Sequence, residues 1–250
     1  MPKKRVVLWD VETSLSLMSS FTLHPEYISV ENIISDPYII CASWKELGDK
    51  KINSVSVLDN KNKDLSNDLF VVKTLAEVCS NADVLIAHNG DKFDCKKLMA
   101  RIIYHKLPAL PEVLTIDTLK ETKKVASFLS HKLSYLGTHL GVGQKIKNSP
   151  GLWIRVLKGD VQAVKDLVIY NRGDVRLLED YYLRTRQYYR NHPNLAPDGV
   201  MACPTCESLK VQKRGYSITK AGLKYHRFQC QGCGSWFNDR SVVSKPLSST

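Results

Sequence analysis

Four cysteines constrain the last fifth of this chain more tightly than any other feature. Cys203-Pro-Thr-Cys206 and Cys230-Gln-Gly-Cys233 are two Cys-x-x-Cys pairs with 23 residues between them. In each pair a tight turn aims two thiolates at one point, and two such knuckles make a tetrahedron. Zn²⁺ accepts four sulfurs without geometric penalty, and a closed four-sulfur site is structural rather than catalytic. A module spanning 202–240 is too small to build much core, so metal binding would supply its folding energy. One Zn²⁺ on Cys203, Cys206, Cys230 and Cys233 is therefore expected. A lone redox pair or coincidence fits two matched pairs poorly. The other three cysteines, Cys41, Cys79 and Cys95, are scattered. Cys41 and Cys79 sit in apolar-periodic segments and read as buried thiols.

Charge adds a partner. The 250 residues carry 36 Lys+Arg against 25 Asp+Glu, a net of +11, and residues 201–250 alone hold +6 of it. Lys210, Lys213, Arg214, Lys220, Lys224, His226 and Arg227 lie between the knuckles, interleaved with Tyr216, Tyr225 and Phe228; Trp236 follows the second pair. Cations among aromatics suit phosphate contact and base stacking, with Lys213, Arg214, Lys224 and Arg227 as the substrate-binding candidates. The competing reading puts the aromatics in the module's small core and the cations on a solvated face. Nucleic acid is the expected partner, DNA ahead of RNA. Hydrophobic residues make up 43%, enough for a real core, so a disordered chain is excluded. No apolar run approaches the roughly 20 residues of a membrane span. The start, MPKKRVVLWD, lacks the apolar stretch of a signal peptide, and a cytoplasmic location is expected, where disulfides are rare.

The order of elements reads as α/β. Runs 5–12, 38–46 and 52–58 have strand composition, with Gly48-Asp49-Lys50-Lys51 as a hairpin turn between the last two. Residues 68–80 put Leu69, Val72, Leu75 and Val78 at helical spacing. A short strand over 84–87, a helix from about 94 to 105 burying Leu98, Ile102 and Ile103, and a strand at 114–116 follow. Thr118-Leu-Lys-Glu121 matches a capping box that starts a helix. Residues 120–190 are mostly helical, with Gly173 as a break or kink in the longest stretch. The pattern predicts a mixed sheet flanked by helices. Residues 1–191 form the large domain, 192–201 a linker, 202–240 the cysteine module and 241–250 a flexible tail.

Acidic residues recur at telling places. Asp10 and Glu12 are two apart on a strand, so both point to one face. Two acids on one side of an apolar strand are costly unless a cation neutralises them; a solvent-exposed strand end is the bland alternative. His88-Asn89-Gly90-Asp91-Lys92-Phe93-Asp94 joins a strand to a helix, where an acid can cap the helix or bind metal. Tyr170 and Asp174, four apart, share one face if their helix is continuous.

Together, Asp10-x-Glu12, Asn89 with Phe93-Asp94, and Tyr170-x-x-x-Asp174 resemble the three motifs of the DEDD exonuclease superfamily. The tyrosine four before the last acid marks its DEDDy branch, and Ile116-Asp117-Thr118 lies between the second and third motifs. With the cysteine module after a His-Pro-Asn linker, the chain resembles predicted phage-encoded exonucleases; the location would then be the host cytoplasm. The resemblance implies an RNase H-like fold, with three antiparallel strands extended by two parallel ones, and 3′-to-5′ hydrolysis of nucleic acid with a zinc ribbon assisting binding. It implies two Mg²⁺ or Mn²⁺ ions, about 4 Å apart in such sites, held by Asp10, Glu12, Asp94 and Asp174, with Asp10 bridging them. Tyr170 would orient the attacking water; a phenol, with a pKa near 10, is a poor base at neutral pH. Thr13 and Asn89 would contact the substrate strand. Asp91 rivals Asp94 as a ligand, and Asp117 stands between a site role and a capping role. Lys145 and Lys147 read as solvated loop residues rather than phosphate contacts. An RNase H-like endonuclease or ribonuclease, an inactive nucleic-acid-binding protein, and a zinc-ribbon assembly factor are the alternatives.

Overall fold

The computed structural model describes residues 4–61, 64–190, 192–197 and 199–244. The chain forms two compact units. One comprises residues 5–119 and 129–181; the other comprises 1–4, 120–128 and 182–250. The last six residues of the Ser-rich tail, 245–250, lie outside the described residues.

The larger unit is built on strand β1 (Val6–Thr13), a short hairpin of β2 (Leu17–Met18) and β3 (Ile33–Ser35), then β4 (Ile39–Glu46) and β5 (Asn53–Ser56). Helix α1 (Leu69–Ser80), β6 (Val84–Ala87), α2 (Asp94–Tyr104) and β7 (Leu114–Asp117) follow. Next come α3 (Thr118–Val125), which passes into the other unit after Leu119, then α4 (Leu133–His139), α5 (Leu152–Leu157) and the long α6 (Val161–Thr185), which leaves the larger unit after Tyr181. The main sheet has the order β5-β4-β1-β6-β7. Its first three strands are antiparallel, and β6 and β7 extend it in parallel with β1. This is the RNase H-like mixed sheet of five strands flanked by helices, as expected.

β1 is central, so its apolar residues are buried on both faces: Val7, Trp9 and Val11 on one, Val6 and Leu8 on the other. A strand with neighbours on both edges and layers on both sides reads as a continuous apolar run. Asp10 and Glu12 interrupt that run on the Val6–Leu8 face, opposite Ser43 and Cys41 of β4. Cys41 and Cys79 are fully buried.

Several local expectations change. The strand expected over 52–58 ends at Ser56, where Ser56 and Asp59 form a capping box for a single 3-10 turn. Ile103 is 70% exposed, because the buried stripe of α2 runs through Leu98 and Ile102. Thr118 opens α3 as a helical residue and does not cap it. The cap is Asp117, whose Oδ1 accepts from Leu119 N at 3.0 Å, while the Thr118 hydroxyl donates to Ala87 O at 3.2 Å. α6 runs through Gly173 without a break. Gly173 lets the Ile146 side chain lie directly against the helix, since a Cβ there would sit 2.6 Å from the Ile146 Cδ1 methyl, and α6 absorbs the poor helix propensity of one Gly.

In the second unit, β8 (Val211–Ile218), β9 (Lys224–Cys230) and β10 (Trp236–Ser244) form an antiparallel sheet in the order β10-β9-β8. The end of α6 belongs here as well. Tyr182 and Thr185 are buried, with Tyr182 Oη 2.7 Å from His192 Nε2 and the Thr185 hydroxyl 2.7 Å from that of Tyr189.

Candidate active site and metal centre

Two of the three acidic motifs converge directly. One carboxylate oxygen from each of Asp10, Glu12 and Asp174 lies within 4.8 Å of the others. Pleating sends Asp10 and Glu12 to the same face of β1. α6 crosses that face so that Asn171, Asp174 and Glu179, on one side of the helix, all meet it. Asn171 Nδ2 donates to Asp10 Oδ2 at 2.6 Å, and Glu179 pairs with buried Lys45 of β4. Because α6 is continuous, Tyr170 and Asp174 do share a face.

Asp94 is the first residue of α2 and is 2% exposed. Its Oδ1 accepts from Val11 N at 3.1 Å, which holds the α2 start against β1 between Asp10 and Glu12. It lies outside the three-residue cluster, although its charge acts on Asp10 and Glu12. The preceding loop is shaped for close approach. Asn89 adopts φ 72°, a left-handed conformation that Asn tolerates. Gly90 packs so tightly that a Cβ would lie 2.5 Å from Ala87 Cβ. Asp117, at the end of β7, accepts from Asn89 N at 2.9 Å and Asp91 N at 3.3 Å. Asp117 therefore shapes the loop as well as capping α3. Asp91 is half-buried in that loop, and Thr13 is half-buried after the β-bulge that ends β1.

Electrostatics set the demand of the site. Burial first, then the neighbouring Asp94, Glu12 and Asp174, holds Asp10 well above the usual carboxylate range. Burial and Asp174 push Glu12 up to about 8. Burial pushes Asp94 up to about 7 against the Val11 hydrogen bond, and Asp174 is raised by burial against Lys145. Half-buried Asp10 and Glu12 beside buried Asp94 and Asp174 raise one another's cost of ionisation, which a cation would relieve.

Lys145 supplies one. Its Nζ lies 2.6 Å from Asp174 Oδ2 and 3.2 Å from Tyr170 Oη. This corrects the solvated-loop reading of Lys145; Lys147 is exposed. Asp174 Oδ1 remains buried with no hydrogen-bond partner among the described residues. An orphaned carboxylate oxygen facing two more carboxylates suits a divalent cation, which takes oxygen ligands. Tyr170 is pushed above the ordinary phenol value by burial and by Asp174, so it is a phenol at neutral pH. Its ring meets Trp153 edge-on at 6.1 Å. Sequence reasoning missed Lys145 and Asn171 as site residues. Asn171 had a signal, since it stands three positions from Asp174, the spacing that puts two side chains on one helix face.

The four C-terminal cysteines also converge, all Sγ atoms lying within 4.8 Å. Cys203 and Cys233 Sγ are 3.7 Å apart, Cys206 and Cys230 3.6 Å. Thr205 N points at Cys203 Sγ, and Gly232 N and Cys233 N at Cys230 Sγ, at 3.3–3.4 Å. Backbone N–H groups aimed at sulfur stabilise thiolates, so the set fits a structural Zn²⁺. Lys213, Arg214 and Arg227 are exposed on the adjoining strands, and Lys224 is half-buried.

A sequence profile of the RNase H superfamily matches residues 37–184. The chain belongs to the RNase H superfamily. The matched span contains Asp94, Lys145, Tyr170, Asn171 and Asp174, and begins after Asp10 and Glu12. No curated protein matches the chain. Among solved structures it is similar to the family B DNA polymerase of the hyperthermophilic archaeon Pyrobaculum calidifontis, with a TM-score of 0.53 and 14% identity. That similarity covers 75% of this chain and 26% of the polymerase, so the chain spans about a quarter of the polymerase's length. At this identity the likeness is one of fold. Superfamily membership supports a nuclease, a hydrolase acting on nucleic acid.

Proposed function

We propose that this chain is a metal-dependent 3′-to-5′ exonuclease of the DEDDy type acting on DNA, with a zinc-stabilised C-terminal module that helps hold the strand. The observation that carries the reading is the convergence of Asp10, Glu12 and Asp174, with Tyr170 beside them on the α6 face. Asp10, Glu12, Asp174 and Asp94 would hold two Mg²⁺ or Mn²⁺ ions. When bound, such ions lower the pKa of a water and stabilise charge on both the attacking and leaving oxygens of a phosphodiester.

The protein's own groups prepare that chemistry. Asn171 fixes one oxygen of Asp10 and leaves the other to accept a ligand. Tyr170, kept as a phenol, offers an O–H and two lone pairs to orient a water. Lys145 stands between Tyr170 and Asp174, where its ammonium can meet a phosphate oxygen once Asp174 has a metal partner. The hydrogen bond from Val11 N keeps Asp94 aimed along β1.

The test incubates the full chain with 5′-labelled single- and double-stranded DNA and RNA, with Mg²⁺, Mn²⁺ or no added divalent cation. A ladder shortening from the 3′ end, lost in Asp10→Ala, is expected. Discrete internal cuts would make it an endonuclease, and no cleavage with either metal would refute the reading.

A further inference from the structure

The aromatics of the C-terminal module are not sealed in a core, although Tyr225, Phe228 and Phe237 are half-buried. None of Tyr216, Tyr225, Phe228, Trp236 or Phe237 is buried, and Tyr216 and Trp236 are 45% and 53% exposed. Strand register sorts them into two faces. Tyr216 pairs with His226, and Phe228 with Phe237. Directly paired residues share a face, and residues two apart on a strand do too. Tyr216, His226, Phe228 and Phe237 therefore form one row across β8, β9 and β10.

The rings meet within the row. Tyr216 and His226 lie 5.0 Å apart at 32°, Phe228 and Phe237 5.6 Å apart at 18°. Lys213 and Lys224 belong to the same face, paired with Phe228 and Ile218 across the strands. Lys224 Nζ sits 4.1 Å above the Tyr216 ring, and Lys213 Nζ lies 3.3 Å from His226 Nε2. The opposite face presents a different arrangement, with Arg227 over Trp236 at 5.1 Å and its guanidinium donating to Arg214 O.

Resting on the reading that the substrate is nucleic acid, we propose that the Tyr216–His226–Phe228–Phe237 face is a binding track for single-stranded nucleic acid. The rings take unstacked bases, and Lys213 and Lys224 take the phosphates. A duplex keeps its base faces stacked internally and offers nothing to a row of rings; a single strand offers a π-face at every base. Among the described residues, the lysine above Tyr216 is held by the ring quadrupole. A base can take its place while the ammonium moves to the neighbouring phosphate. A purely solvating surface would need the lysines but not four rings in cross-strand register.

The test uses the full zinc-loaded chain without added Mg²⁺ or Mn²⁺, and fluorescence anisotropy with labelled 20-mers: oligo-dT, oligo-U and a DNA duplex. Tighter binding of the single strands than of the duplex is expected. Tyr216→Ala should weaken single-strand binding about tenfold, as loss of one stacked base would. Tyr216→Phe should retain it, and Trp236→Ala, on the other face, should stay within about twofold. Lys213→Gln with Lys224→Gln should flatten the salt dependence. The proposal is overturned if Tyr216→Ala binds like the parent while holding its zinc, if Tyr216→Phe loses as much as Tyr216→Ala, or if Trp236→Ala loses more. Failure of the nuclease reading looks different: single strands bound through Tyr216 yet never shortened when Mg²⁺ is added.

Discussion

Asp94→Asn removes a buried carboxylate that is costly to ionise in the metal-free protein. Asn keeps the acceptor that Val11 N uses, removes the charge and turns the second oxygen into an N–H donor. Burial lifts the Asp94 carboxyl from an ordinary 3.8 to about 7. A group whose folded pKa is raised binds its proton more tightly folded than unfolded. Its ionisation therefore opposes folding, and stability falls as pH rises from about 4 through about 7. At ~1.36 kcal/mol per pH unit, that rise corresponds to about 4 kcal/mol as a ceiling above pH 8. Relief shared with Asp10 and Glu12 lowers the observable gain to about 2–4 kcal/mol. Urea unfolding without Mg²⁺ or Mn²⁺, and without a chelator that would strip zinc, measures it. The variant should be more stable than the parent at pH 8.5 and nearly equal to it at pH 4. Mg²⁺ should stabilise the parent more than the variant, because only the parent offers the fourth carboxylate. A variant less stable at pH 8.5, or an equal gain at both pH values, would refute the reasoning.

Other perturbations read other parts of the structure. Tyr170→Phe should slow hydrolysis at least tenfold while leaving strand affinity near the parent's, since the ring stays against Trp153 and only the hydroxyl leaves; single-turnover and anisotropy assays separate the two. Gly173→Ala should change stability by no more than about 1 kcal/mol in either direction, because the 2.6 Å contact is with the terminal methyl of exposed Ile146, which can turn aside, while the better helix propensity of Ala offsets what remains; denaturant titration measures it. Cys206→Ser should abolish stoichiometric zinc and unfold the C-terminal module while the RNase H-like unit still unfolds cooperatively, which metal analysis and proteolysis check.

Local pattern carried much of this protein. The strand over 84–87, the starts of α1 and α2, and the hairpin after β4 were legible because periodicity and turn chemistry act over a few residues. Ile103 was misread because two adjacent apolar residues, Ile102 and Ile103, do not reveal which of them lies on the buried stripe. Gly173 was misread because propensity counts the cost of Gly in a helix but not what approaches it. The motif acids were legible because carboxylates on a strand and at a helix start are conspicuous by type and spacing.

Sequence by itself determined the mixed α/β class, the two Cys-x-x-Cys knuckles, and a set of acids too expensive to bury without cations. Tertiary structure decided which of them meet. Asn171 reaches Asp10 across 161 positions, and Lys145 reaches Asp174 from a loop that reads as solvated. Strand register alone put Tyr216 and Trp236 on opposite faces. Secondary structure follows from neighbours a few residues apart, so sequence shows it. Which face of α6 lies on β1, and which cation answers which acid, follows from packing between segments far apart in the chain.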